Sequence, residues 1–308
     1  MSKRKQNELL HQYFIEWVHM YKVGAIRETT LQKYYISHKH LVNLAPTLRL
    51  KDLNRKSYQQ LMNDFAETHE RQTTMDFHHQ VKSAIFDAFD DGLLERDPTR
   101  KVVIKGKKPS SKRAQYLNQF ELKALLNELE LGTEVNYDWL IFLIAKTGLR
   151  FGEALGVTPN DFDFSRQTLD INKTWNYKKA LGGFQPTKNQ SSNRKVQLDW
   201  QTVMQFSHLI VNMNPNEPIF VKERIHNSTI NQILQRHCRS TNVPEITIHS
   251  LRHTHASLLL YGGVSIATVA KRLGHSNITT TQNTYLHIIH ELENQDNNKM
   301  MNVLSNII

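Results

Sequence analysis

Four short segments in the second half of the chain carry side chains that could act together on one charged group. They are Thr147-Gly148-Leu149-Arg150-Phe151-Gly152-Glu153, Pro186-Thr187-Lys188, His249-Ser250-Leu251-Arg252-His253-Thr254-His255, and Leu273-Gly274-His275 with Tyr285 ten residues later. A guanidinium fork matches two oxygens of a phosphate and stays charged at every relevant pH. Arg150 and Arg252 therefore suit a phosphodiester whose non-bridging oxygens gain charge under attack. His249 and Arg252 stand three apart, a spacing that places both on one face of a helix. His275 follows Gly274 in what reads as a helix-terminal turn, where it can supply a further donor. Taken singly, each feature has an ordinary reading: a surface arginine, a solvated hairpin lysine, a helical tyrosine with its hydroxyl satisfied.

Order and spacing together closely resemble the tyrosine recombinase family of the phage-integrase type, whose members carry Arg, Lys, His-x-x-Arg, His and a terminal Tyr in that sequence. Leu251-Arg252-His253-Thr254-His255-Ala256 and Thr279-Thr280-Thr281-Gln282-Asn283-Thr284-Tyr285 look like integrases of Gram-positive phages and conjugative elements. The resemblance implies that Tyr285 is the nucleophile, with Arg150, Lys188, His249, Arg252 and His275 around it. Attack would leave a 3′-phosphotyrosyl bond and a free 5′ hydroxyl. A phenol of pKa about 10 needs neighbouring cations or a base to do this near neutrality. By the same likeness His249 assists proton transfer, His275 hydrogen-bonds the scissile phosphate, and Lys188 protonates the departing 5′ oxygen. Lys178, Lys179 and Lys195 lie in the same sheet region and compete for that last role. Glu153 would orient Arg150 or a neighbouring histidine, with an ordinary helical salt bridge as the alternative.

No metal or other cofactor is expected, neither ATP nor Mg²⁺. The histidines, of which His249, His253, His255 and His275 are the most suggestive group, lack paired cysteines and a His-Glu-x-x-His arrangement. His78 and His79 read as helix-surface or DNA-facing residues, and Cys238 as an inert, partly buried thiol. Integration or excision of a mobile element is the function that the resemblance implies. The alternatives are a non-catalytic DNA-binding or architectural protein on the same fold, or a type IB topoisomerase-like activity.

These residues need elements to hold them, and the pattern predicts a mainly α protein with a small antiparallel β-sheet (α+β). Apolar residues recur at helical spacing through Leu10, Phe14, Trp17, Val18 and Tyr21, then Leu31, Tyr34, Tyr35, His38, Leu41 and Val42. Two more helices are predicted near 57–68, with Leu61, Met62 and Phe65 inward, and near 74–91, with Phe77, Val81, Ile85, Phe86 and Phe89 inward. That makes residues 1–99 a helical domain, similar to the family's core-binding, SAM-like DNA-binding domain. Residues 100–113 hold seven Lys or Arg and no acid. They read either as a solvated tether or as a strap along a phosphate backbone, with Lys105, Lys107, Lys108, Lys112 and Arg113 as DNA contacts. Residues 114–290 form the catalytic domain that the resemblance implies. It opens on a helix capped by Asn118 and Glu121. Alternation at 168–171 and 195–198 with a turn at Gly182-Gly183 gives the sheet, and helices return from Ser228.

The polar stretch 291–299 and the apolar end 300–308 form a tail, which either folds back on its own domain or, as the resemblance favours, passes to a neighbouring subunit of a tetramer. Many relatives have an arm-binding domain ahead of the core-binding helices, whereas about six residues precede the first helix here. A recombinase using core sites alone, or a chain lacking the arm-binding part, would explain this. A net charge of +10 favours a polyanion, here double-stranded DNA attachment sites, with an excisionase or host DNA-bending protein as further partners. One cysteine, no secretory leader and no apolar run near the ~20 residues of a membrane span point to a cytoplasmic protein without membrane contact.

Overall fold

Among the described residues four amphipathic helices build the first unit around one core: α1 (Leu10–Tyr21), α2 (Glu28–Leu44), α3 (Arg55–Ala66) and α4 (Arg71–Asp90). The third starts where Asn54 accepts hydrogen bonds from the amides of Lys56 and Ser57, closing a reciprocal capping box. Leu10, Phe14, Val18, Leu41, Tyr58, Val81 and Ile85 are fully buried against one another, each contributing about 1.5 to 3 kcal/mol of apolar transfer. Cross-links between helices are polar: Trp17 donates to Asp87 at 2.6 Å and Ser37 to Gln80 at 2.7 Å.

Helical periodicity overreaches at the edges of the apolar stripes. Tyr21, Val42 and Phe86, expected inward, are 50, 37 and 43% exposed. His78, expected at the surface, is instead buried against Tyr58, whose hydroxyl lies 2.8 Å from its Nδ1. A histidine one position off the stripe turns inward when a buried hydroxyl needs a partner.

The computed structural model describes residues 6–108, 116–179, 181–285 and 305. Lys112 and Arg113 of the basic segment, and all of the tail except Ser305, lie outside those residues. The chain divides into two compact units, Met1–Ser111 and Lys112–Ile308. The first unit thus runs past residue 99: Gln59 grips Val103 through both its main-chain groups at 2.9 Å, and the Lys107 amide donates to the His69 carbonyl at 2.8 Å. Residues 103–107 are a strap held on this unit, with Lys105, Lys107 and Lys108 exposed.

In the second unit α5 (Gln119–Glu128) begins with the expected Asn118–Glu121 capping box. Helix α6 (Tyr137–Thr147) is the spine: Trp139 through Ala145 are all buried, so a continuously apolar run here makes a central helix. Helix α7 (Phe151–Leu155) follows at once. Then come β1 (Phe162–Asp163), β2 (Thr168–Ile171), β3 (Lys173–Trp175), β4 (Phe184–Pro186) and β5 (Arg194–Gln197). Strands β1, β2 and β5 form one antiparallel sheet with Ile171 opposite Arg194; β3 and β4 form a separate hairpin. Helices α8 (Trp200–Leu209), α9 (Asn227–Ser240), α10 (Ile248–Tyr261) and α11 (Ile266–Leu273) complete the packing. Residues 278–285 are helical and are designated α12. Cys238 is fully buried in α9. Among the described residues no helix is long and apolar enough to cross a membrane.

Candidate active site

Arg150 occupies the N-cap of α7, a position fixed by Gly148, which ends α6 in the left-handed conformation at φ +70°. Its guanidinium donates to Glu153 Oε1 at 2.7 Å and to the Gly274 carbonyl at 3.2 Å. The other oxygen of Glu153 accepts from Arg194 at 2.9 Å. Glu153 is therefore a buried bridge between two arginines. Burial alone would raise its pKa, but Arg194 and then Arg150 hold it below the ordinary carboxylate range. Arg194 also donates to the carbonyls of Arg272 at 2.6 Å and Ser192 at 2.8 Å. One cation thus ties β5 to the turn before it, to α7 and to the end of α11.

Arg252 lies on α10 and is 3% exposed. It donates to the Gly148 carbonyl and to the Leu273 carbonyl, both at 2.7 Å. Burial and the neighbouring Arg150 lower its pKa to about 9, which still leaves it a cation at neutral pH. Beneath it, His255 Nδ1 donates to the Ala145 carbonyl at 3.0 Å while its Nε2 accepts from Arg272 at 2.8 Å. Burial, reinforced by Arg272, drops the pKa of His255 to about 3, so this ring is a neutral strut.

The phenol of Tyr285 is 2% exposed, its ring packed with Ala256, Leu260, Val269 and Leu273. Its hydroxyl lies 3.0 Å from His253 Nδ1. Burial raises its pKa to about 12 against the opposing pull of Arg252. His253 meets His249 edge to face, with centroids 4.9 Å apart and rings at 90°. Burial, His249 and Arg252 push the pKa of His253 down to about 4. His249 opens to solvent on the rim; partial desolvation and the charges of Arg252 and Arg150 lower its pKa. His275 follows Gly274, a second left-handed glycine at φ +69°, and its Nδ1 lies 2.7 Å from the Thr281 hydroxyl. Burial and then Arg252, Arg150 and Arg194 bring its pKa to about 4.

Arg150, His249, Arg252, His275 and Tyr285 are thus gathered in one electropositive cluster. Lys188 stands exposed beyond the base of the β3–β4 hairpin, next to Thr187, whose hydroxyl donates to Asn193 at 2.7 Å. That contact references it to Arg194. Lys178 and Lys179 lie past Trp175 at the opposite, tip end of the hairpin. Lys195 sits on β5 opposite Asp170. Reading the sequence missed Arg194, Arg272 and Thr281, and it noted His253 and His255 only as metal-ligand candidates, without the roles that the structure gives them. The only signals for them were adjacency to the recognised positions and, for Arg194, a strand register. Among the described residues no three His, Cys, Asp or Glu side chains are grouped to hold a metal ion.

The Phage integrase family profile matches residues 115–291. The integrase of Staphylococcus phage L54a is 30% identical over 51% of this chain, and the match spans about half, 49%, of that integrase. A "Tyrosine recombinase XerC-like" protein of Caldanaerobacter subterraneus subsp. tengcongensis is 27% identical over 92% of this chain and 79% of its own length. Among solved structures, the Tn1549 transposon integrase in complex with transposon right end DNA has the same fold, with a TM-score of 0.76 at 19% identity, covering 90% of this chain and 95% of that one. With over half of its length matched by the family profile, the chain belongs to the phage integrase family.

Proposed function

We propose that the protein is a site-specific DNA recombinase that breaks and rejoins double-stranded DNA through a 3′-phosphotyrosyl bond on Tyr285, integrating or excising a mobile element. The observation that carries this reading is the convergence of Arg150, Arg252 and His275 around the Gly148 and Gly274 turns, with the Tyr285 phenol inside the field of Arg252. Family membership and the net charge of +10 support it.

In this mechanism Arg150 and Arg252 bind the two non-bridging oxygens of the scissile phosphate and stabilise the charge that grows there. Both guanidiniums are held by carbonyls and Glu153 before any phosphate arrives, so little reorganisation is needed. The Thr281 hydroxyl, donating to Nδ1 of His275, would leave Nε2–H free to face the phosphate. Tyr285 Oη forms a bond to phosphorus as the bond from phosphorus to the 5′ oxygen breaks, and Lys188 gives that oxygen its proton. The phosphotyrosine conserves the bond energy until a second 5′ hydroxyl reverses the step. Glu153 positions Arg150 through direct contact. The first unit, with its exposed Lys105, Lys107 and Lys108, grips the duplex, and four copies assemble on two attachment sites.

A nicked duplex carrying the element's own attachment junction tests the reading. The natural protein should form a covalent protein–DNA band on a denaturing gel, and Tyr285→Phe should bind the duplex without forming it. Binding without an adduct by both proteins would favour a DNA-binding role, and relaxation of supercoiled plasmid lacking the junction would favour a topoisomerase.

A further inference from the structure

The hydroxyl that must lose its proton in this chemistry is hydrogen-bonded to a residue outside the expected set. We propose that His253, through Nδ1, takes the proton from Tyr285 Oη during attack on the phosphate and returns it on ligation; this rests on the recombinase reading above. Three observations carry it. The oxygen and the ring nitrogen are 3.0 Å apart, within the reach required of a general base. Both partners are held in place: the Tyr285 ring by the apolar cluster of α10 and α11, and the His253 ring by its edge-to-face contact with His249. His253 also stands one residue after Arg252, so the base and the phosphate-binding cation come from the same turn of α10.

The groups facing His253 decide when it can act. His249 and Arg252 lie on its own helix, Tyr285 on α12, and His275 in the segment after α11. Burial and the positive neighbours leave His253 a poor base, at about 4, opposite a phenol at about 12. Transfer ahead of attack is therefore steeply uphill, and the proton moves only as the oxygen–phosphorus bond forms. A phosphodiester bound by Arg150 and Arg252 brings a negative charge next to the ring, offsets those arginines and raises its basicity. In the cleavage step the Oη–P bond forms, the P–O5′ bond breaks, the phenolic proton goes to Nδ1, and O5′ takes a proton from Lys188. On ligation the 5′ hydroxyl returns a proton to Lys188 as it attacks, and the His253 imidazolium reprotonates the departing phenolate. Nothing is consumed, and the two proton carriers exchange states with each reversal.

Single-turnover cleavage of the nicked attachment duplex by the full chain separates the possibilities. His253→Ala should bind the duplex as the natural protein does, yet cleave about 10²- to 10³-fold more slowly, with added imidazole restoring part of the rate. His253→Asn keeps an oxygen acceptor near the Nδ1 position, so it can hold the hydroxyl but cannot take its proton; it should remain as slow as the alanine variant. Cleavage by His253→Asn near the natural rate would reduce His253 to a positioning residue, and cleavage by His253→Ala within about threefold would remove it from the mechanism. If the natural protein itself formed no adduct on a duplex it binds, the recombinase reading would fall, and the role of His253 with it. That result cannot be confused with an active natural protein and unaffected variants.

Discussion

Burial and neighbouring cations keep His253, His255 and His275 neutral near pH 7, and His255 shows what this does to stability. Its two ring nitrogens are spoken for by the Ala145 carbonyl and Arg272, an arrangement that fits only the neutral ring with its proton on Nδ1. The unfolded chain binds a proton at this position once pH falls below 6.5, whereas the folded chain resists until about 3. Below 6.5 the unfolded state thus holds more protons, and stability is lost as pH falls across that window. By pH 5 this one group removes about 2 kcal/mol. His255→Gln retains a donor and an acceptor without titrating. It should be less stable than the natural protein at pH 7.5 but lose less stability between pH 7 and 5, measured by urea denaturation at each pH. An acid loss equal to that of the natural protein would move the effect to other groups. His255 and its neighbour His253 could be seen in the sequence, since both lie in the Arg252 segment, but their roles could not. Which histidine supports a backbone and which meets the phenol depends on α6 and α12, 110 and 32 residues away.

At the level of elements the site is a junction where α6, α7, α10 and α11 end or begin, and the glycine turns set the angles. Gly148 has φ +70°, and its carbonyl is a receptor for Arg252. A Cβ there would stand 2.7 Å from His255 Cδ2 and 3.1 Å from Leu273 Cδ2, so alanine adds both left-handed strain and a collision with a ring that cannot yield. Gly148→Ala should lose about 2 to 4 kcal/mol of stability, read as a lower thermal midpoint, and adduct formation should fall because Arg150 and Arg252 both hang on this turn. A midpoint within a degree or two of the natural protein would mean the turn relaxes. Local signals found much of this framework: the Asn118–Glu121 box, the β2–β5 alternation, the Gly182-Gly183 turn and the helix end at Gly274 all have short-range causes. Arg194 was invisible because its importance comes from a register that sets it opposite Ile171 and from a carboxylate 41 residues earlier. Tyr21, Val42 and Phe86 were misplaced for a related reason: a 3.6-residue period says that a stripe exists, but neighbouring helices decide how wide a stripe they cover.

Across the whole molecule the net charge of +10 makes the phosphate backbone a natural partner, but charge acts on affinity only where side chains are held out towards it. The strap at 103–107 supplies such a place. Gln59 and the His69 carbonyl fix its main chain, while Lys105, Lys107 and Lys108 stay exposed. Because the backbone is already ordered, these lysines would pay less conformational entropy on meeting phosphates than they would from a loose tether. If all three contact phosphate, each releases counterions and contributes about 0.9 to the slope of log K against log salt. The triple variant Lys105→Ala, Lys107→Ala, Lys108→Ala should therefore bind duplex DNA more weakly with a slope shallower by about 2.7, measured by fluorescence anisotropy over a salt series. Phosphates carry no sequence information, so the loss should be equal on attachment-site and unrelated duplexes and leave their affinity ratio unchanged. An unaltered slope would put the three lysines off the DNA and leave the charge to act through other residues; a loss confined to the attachment site would mean that the strap reads bases or DNA shape instead.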